Sequence, residues 1–106
     1  MKYILPTVMI SALAMPVCAE EIKLGVVTGF TGPVESMTPQ MAAAAELAMN
    51  EASRSGLFLG GSTITPTRAD STCIDASVAT AVAERIVTSE GIKGIIGAAC
   101  SGDTSS

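Results

Sequence analysis

Ile22-Lys23-Leu24-Gly25-Val26-Val27-Thr28, followed at once by Gly29-Phe30-Thr31-Gly32-Pro33, is the stretch on which the fold turns. From Lys23 to Thr28 the run is short, rich in β-formers and nearly continuous in its apolar character. That is the pattern of a strand covered on both faces. Two glycines and a proline then break the run, so the strand ends in a loop at its carboxyl end. Thr38 and Pro39 follow as cap and first-turn proline of a helix expected over 39–55, with Gly56 placed to stop it in a left-handed turn. Within it Met41, Ala44, Ala45, Ala48 and Ala52 recur at three- and four-residue steps, a smooth stripe that can lie close to a sheet.

The same alternation continues down the chain. Ser62 to Ala69 reads as a second strand, and Pro66 favours an edge position for it because proline has no N–H to give a neighbour. Asp75 or Ser77 can cap a second helix that runs to about Glu90. Val78, Ala79, Val82 and Ile86 would face inward, and Glu84 and Arg85 outward. Gly91 ends that helix and Ile92 closes its cap. Lys93 to Ala98 is the third strand, with Ile95 and Ile96 as buried-type residues. A polar loop, Cys100-Ser101-Gly102-Asp103-Thr104, comes last.

A β-α-β-α-β order implies a parallel sheet with right-handed crossovers, so the fold class is α/β, with an expected strand order of 2-1-3. Three strands and two helices leave a sheet edge and a face uncovered, and the last residues read as the first turn of a further helix. Residues 20–106 are therefore expected to be a truncated, N-terminal part of a lobe.

The chain of 106 residues is 48% hydrophobic and only 15% charged, which excludes a disordered tail. From Glu20 onward five Lys and Arg stand against ten Asp and Glu, a net charge of −5. With 3% aromatic residues there is also little to stack on bases, so nucleic acid is not an expected partner. Lys2, an apolar run from Tyr3 to Met15, and Val17-Cys18-Ala19 make up a secretory leader at 1–19, with cleavage after Ala19 and a periplasmic mature protein. The apolar run is too short for a permanent span, and no direct membrane insertion is expected. A lipid anchor on Cys18 is the rival reading, disfavoured because Val17 precedes it where a small residue is wanted. Export leaves Cys73 and Cys100 where disulfides persist, and a structural bridge between them is preferred over redox or metal chemistry.

In an open parallel sheet a ligand sits beyond the carboxyl ends of the strands, where strand order reverses. Two loops meet there, Thr28–Pro33 and Ala98–Thr104. Ser101 and Thr104 can each donate a hydroxyl hydrogen bond to a carboxylate, and Gly102 lets the backbone come close. Against this, both hydroxyls are equally suited to capping a helix. Ser101, Cys100, Gly102 and Thr104 are the candidate ligand-binding residues of this loop. The sequence has no histidine, which excludes histidine triads and histidine metal ligands. Neither a Gly-x-Gly-x-x-Gly run nor a Gly-Lys-Ser/Thr phosphate loop is present. Asp70 and Asp75 flank Cys73 and suit solvated caps better than a cation site. No enzyme activity, cofactor or metal is expected.

Ile22–Val27, Thr31-Gly32-Pro33, Ala45-Glu46-Leu47-Ala48, Asp70-Ser71-Thr72-Cys73, Gly91-Ile92-Lys93-Gly94-Ile95-Ile96-Gly97 and Cys100-Ser101 occur in this order, and together they resemble the branched-chain amino acid binding proteins of ATP-driven uptake systems. The resemblance implies a type I periplasmic binding protein fold, of which this chain holds the beginning of the first Rossmann-like lobe. It also implies a substrate-binding component that takes a small solute with a free carboxylate in the cleft between two lobes and delivers it to the membrane permease of an ABC transporter. Relatives bridge the cysteines matching Cys73 and Cys100, and use the serine matching Ser101 on the ligand's α-carboxylate. Met37 falls where some relatives carry an aromatic residue near the ligand, so it joins the ligand-binding candidates. The alternatives are the sensing domain of a receptor, which a downstream membrane span would reveal, and an exported α/β enzyme, which would need a nucleophile or metal cluster from elsewhere.

Overall fold

The computed structural model describes residues 18–106, so all but the last two residues of the leader expected at 1–19 lie outside the described residues. The elements are β1 (Glu21–Thr28), α1 (Thr38–Arg54), β2 (Thr63–Asp70), α2 (Ala76–Ser89), β3 (Gly94–Gly97) and a short α3 (Ser101–Thr104), with a 3-10 turn at Phe58–Gly60. All pairings are parallel and the strand order is β2-β1-β3, as the alternating pattern predicts. No described helix is long and apolar enough to cross a membrane.

β1 is central, and its apolar run has the expected cause. Adjacent residues of a strand point to opposite faces, yet Val26 and Val27 are both 4% exposed. Val26 packs with Ala42 and Met49 of α1, whereas Val27 packs with Ala69, Ile86 and Ile92 beneath α2. The two helices therefore cover opposite faces, which corrects the expectation of one uncovered face. β2 is an edge strand carrying Pro66 level with Leu24, where a missing N–H is tolerated.

Two sequence expectations need correction. The buried side of α1 is Thr38, Ala42 and Met49, with Ala45 and Ala52 half-buried. Met41, Ala44 and Ala48 of the expected stripe face outward. The helix has turned so that Met49, its longest apolar side chain with access to the sheet, fills the space beside Val26, Leu24 and Ile64. A flexible thioether fills such a gap better than a row of methyls. Ile95 and Ile96, expected to be buried, are 41% and 45% exposed because β3 is the other sheet edge.

The caps also differ in detail. Thr38 is the first residue of α1 rather than its cap, and its buried hydroxyl donates to the carbonyl of Gly29 at 2.8 Å. This bond ties the start of α1 to the end of β1. Asp75 does cap α2, its carboxylate accepting from the N–H of Ser77 at 2.8 Å. At the far end Gly91 has φ +69°, and buried Ile92 turns its N–H back to the carbonyl of Ile86 at 3.4 Å. The adjacent Lys93 N–H bonds to the carbonyl of Lys23 at 2.9 Å, which sets the register of β3.

Candidate functional site

Val27 is in register with Gly97, so the carboxyl ends of β1 and β3 lie side by side, with Thr28 and Ala98 leading out of them. This is the crevice expected from strand order. What shapes it is the end of β2 and the loop that follows, which lie outside the pair and reach both neighbours by side chains.

Asp70 holds the loop after β1. Its carboxylate accepts from the Thr31 hydroxyl at 2.6 Å and from the N–H groups of Thr31 at 3.3 Å and Thr72 at 2.9 Å. Phe30, in the same loop, lies under the Arg68 guanidinium, 5.3 Å from ring centre to cation, and Arg68 is itself paired with both carboxylate oxygens of Glu46. Gly32 has φ +96°, and a Cβ there would stand 2.5 Å from the carbonyl oxygen of Thr72. Only glycine permits both that dihedral and that approach.

Burial pushes the Asp70 carboxyl upward, but the hydrogen bonds from Thr31, Thr72 and Phe30 outweigh it and hold the pKa below its ordinary 3.8. A carboxylate whose folded pKa is depressed adds stability above the unfolded pKa and loses it as pH falls through the folded value. We expect the wild-type chain to lose stability below about pH 4, and Asp70→Asn to flatten that part of the profile. Urea unfolding midpoints from pH 7 down to pH 3 check this. Equal acid slopes in the two proteins would remove Asp70 from the explanation.

The next residues hold the loop after β3. The Ser71 N–H bonds to the carbonyl of Thr28 at 3.0 Å, and its hydroxyl donates to Oδ2 of Asp103 at 2.5 Å. Cys73 is joined to Cys100 in a disulfide with its Cα atoms 5.7 Å apart, so the expected bridge is present. Thr72 and Cys73 both have positive φ, 64° and 60°, a pair of left-handed residues that these ties on either side hold in place.

Of the sequence-selected residues, Cys100, Ser101 and Thr104 line one open hollow together with Ala98, Ala99 and Ser105. Ser101 is exposed as the first residue of α3, and Cys100 stands at the cap position with an extended backbone. The Thr104 hydroxyl is engaged with the chain itself, within 3.1 Å of the Ala98 carbonyl and 3.0 Å of that of Cys100. A hydroxyl has one hydrogen, so Thr104 closes the turn rather than offering that proton to a ligand. A Cβ on Gly102 would meet nothing within 4 Å, so glycine there answers to no contact within the chain. Met37 is exposed at the start of α1 and lies outside the Ser101 hollow. The sulfurs of Cys73 and Cys100 and the Asp103 carboxylate lie within 4.8 Å of one another, but bridged sulfurs have no thiolate for a metal.

Asp70 was read from sequence as a solvated cap, whereas it holds Thr31 and Thr72, and Ser71 and Asp103 were not selected as site residues. Asp70 had a local signal, an Asp two residues before the N–H it accepts. The bond from Ser71 to Asp103 spans 32 residues and has no local signature. Thr28 was named only as the end of the first strand and the start of the loop after it. Its hydroxyl is buried without a hydrogen-bond partner among the described residues, and it borders an apolar hollow of about 230 Å³ between α1, β1 and β3.

A parallel sheet of this order, with helices on both faces and its loops at the carboxyl ends, matches part of a lobe of the type I periplasmic binding protein fold. The sequence model described as periplasmic binding protein matches residues 21–106, and the chain belongs to that family. Membership implies a periplasmic or extracellular location. Among solved structures, the chain is similar to the branched-chain amino acid transporter substrate binding protein LivJ from Streptococcus pneumoniae in complex with isoleucine, at 25% identity and a TM-score of 0.70, over 79% of this chain and 24% of that one. An ABC transporter substrate-binding protein from Sphaerobacter thermophilus shares the fold at 20% identity and TM-score 0.67, over 80% of this chain and 22% of that one. So does a possible leucine/isoleucine/valine-binding protein from Rhodopirellula baltica, at 21% identity and TM-score 0.62, over 79% and 22%. The chain thus spans about a quarter of the length of these solved relatives. Among curated proteins none matches.

Proposed function

We propose that this chain supplies the first-lobe half of a binding cleft in the substrate-binding component of an ABC-type uptake system for branched-chain or similar amino acids. The observation that carries this reading is the place of Ser101: exposed, on the rim of a hollow at the carboxyl end of β3, in a turn anchored by the Cys73–Cys100 bridge. Likeness to a protein solved with isoleucine supports the choice of solute.

In this reading the Ser101 hydroxyl and the adjacent backbone N–H groups of the turn receive the solute's carboxylate. Charge-assisted bonds of this type are the strong ones. Cys100 holds the turn, Thr104 closes it, Gly102 leaves room for the solute, and Met37 faces the solute's side chain from the loop before α1. A second lobe would supply the remaining contacts, and no step of the cycle is catalytic. Residues 1–19 act as a cleaved leader, 20–106 form the N-terminal part of lobe 1, and the partner downstream is a membrane permease.

Calorimetric titration of the natural gene product with leucine, isoleucine and valine tests the assignment. Ser101→Ala is expected to weaken binding by about ten- to a hundredfold, the usual worth of a hydrogen bond to a charged group. A wild-type protein that binds none of the three would refute the function, and an unaltered affinity in Ser101→Ala would remove the serine from the site.

A further inference from the structure

Two anchors bracket the turn that carries Ser101, and only the first has an obvious sequence signal. The disulfide fixes the turn at Cys100. A single anchor still lets a short turn pivot about it. The second anchor is Asp103, three residues on and 9% exposed, whose carboxylate accepts from the hydroxyl of wholly buried Ser71 at 2.5 Å. Ser71 is in turn fixed to the end of β1 through the Thr28 carbonyl. Ser101 and Gly102 lie between the two anchors, so their orientation relative to β1 is set at both ends.

Asp103 does not border the hollow beside Ser101. It borders a separate one against α2, with Ala79, Thr80 and Ala83. Its effect on a solute is therefore exerted through the turn. The Asp70 carboxylate, one residue before Ser71, holds Thr31 in the opposite loop by the same means. The end of β2 and the segment after it thus set both loops of the crevice while lying outside the strand pair that forms it.

From this arrangement we infer that Ser71 and Asp103 are positioning residues that aim the Ser101 turn at a carboxylate, and thereby set the preference for a free carboxylate over its neutral amide. The inference rests on the site reading above. Loss of general stability would weaken all solutes alike. Loss of aim weakens the carboxylate contact and leaves selection by the solute's side chain intact.

The experiment titrates leucine, leucinamide and valine into the natural gene product and its Asp103→Ala, Asp103→Asn and Ser71→Ala variants. Wild type is expected to favour leucine over leucinamide, and Asp103→Ala and Ser71→Ala to lower that preference about tenfold, the cost of one misplaced hydrogen bond. The leucine-to-valine ratio should hold. Asp103→Asn, whose amide oxygen still accepts from Ser71, should keep the wild-type preference. Equal losses for leucine and leucinamide, or an Asp103→Asn protein that behaves like Asp103→Ala, would overturn the inference and leave the proposed function standing. A wild type that binds none of the three probes overturns both. Ser71→Ala removes a single oxygen and carries the same expectation, so the question stays answerable if Asp103→Ala does not fold.

Discussion

Replacing Cys73 and Cys100 together by serine is expected to lower the stability of the natural gene product by about 3 to 4 kcal/mol, the chain-entropy value for closing a loop of this length. The bridge joins residues 27 apart and crosses from the loop after β2 to the loop after β3. Without it the unfolded chain gains freedom, while the folded chain keeps Ser71–Asp103 as its remaining side-chain tie across that gap. Urea unfolding of the double variant beside wild type measures the effect, and a free-thiol assay on exported protein tests the bridge itself. A loss below about 1 kcal/mol would show that the loops hold their geometry without the cross-link. Two reactive thiols in the exported protein would refute the bridge.

Ile86→Ala is expected to cost a similar amount, about 3 kcal/mol, by leaving a void in the most buried place of the sheet's α2 face. Ile86 is 0% exposed and packs with Val27, Ala69 and Ile92. Gly25 lies directly beneath it, and a Cβ there would stand 2.9 Å from Cδ1 of Ile86. Gly25→Ala alone is therefore expected to cost about 1 to 3 kcal/mol by overpacking. Ile86→Val removes that Cδ1 atom, so the double variant Gly25→Ala/Ile86→Val should recover about 1 kcal/mol relative to the sum of its parts. Midpoints of urea unfolding for the four proteins of the cycle give the coupling. Additive losses would mean that the two residues do not share the space the structure assigns them.

The unfolding comparisons also bear on what sequence reading could and could not reach. The alternation of strands and helices, the central place of β1 and the edge place of β2 were legible, because each follows from a local property: an apolar run, a proline, a glycine after a helix. The disulfide was legible because two cysteines lie beyond the expected leader. The face of α1 was not, since Ala45 and Ala52 fit two stripes equally well, and only contact with Val26 decided that Met49 would be inward. Ile95 and Ile96 read as buried because their type is, while exposure depends on whether another element covers the edge of β3.

The candidate site divides along the same line. Ser101, Gly102 and Thr104 stood out as small polar residues in a loop at the end of a strand, but spacing alone could not tell a donor from a cap. In the structure the Thr104 hydroxyl lies against backbone carbonyls, and Ser101 is exposed beside an open hollow, which is what supports the proposed role of Ser101. By itself the sequence determined the parallel α/β order, the loops that meet at the crevice and the cysteine pair, because short-range periodicity and backbone chemistry encode them. Only the tertiary structure decided which helix face is inward and that Ser71 grips Asp103 across 32 residues. Contacts of that range depend on where the whole sheet places two loops, and no local pattern records it.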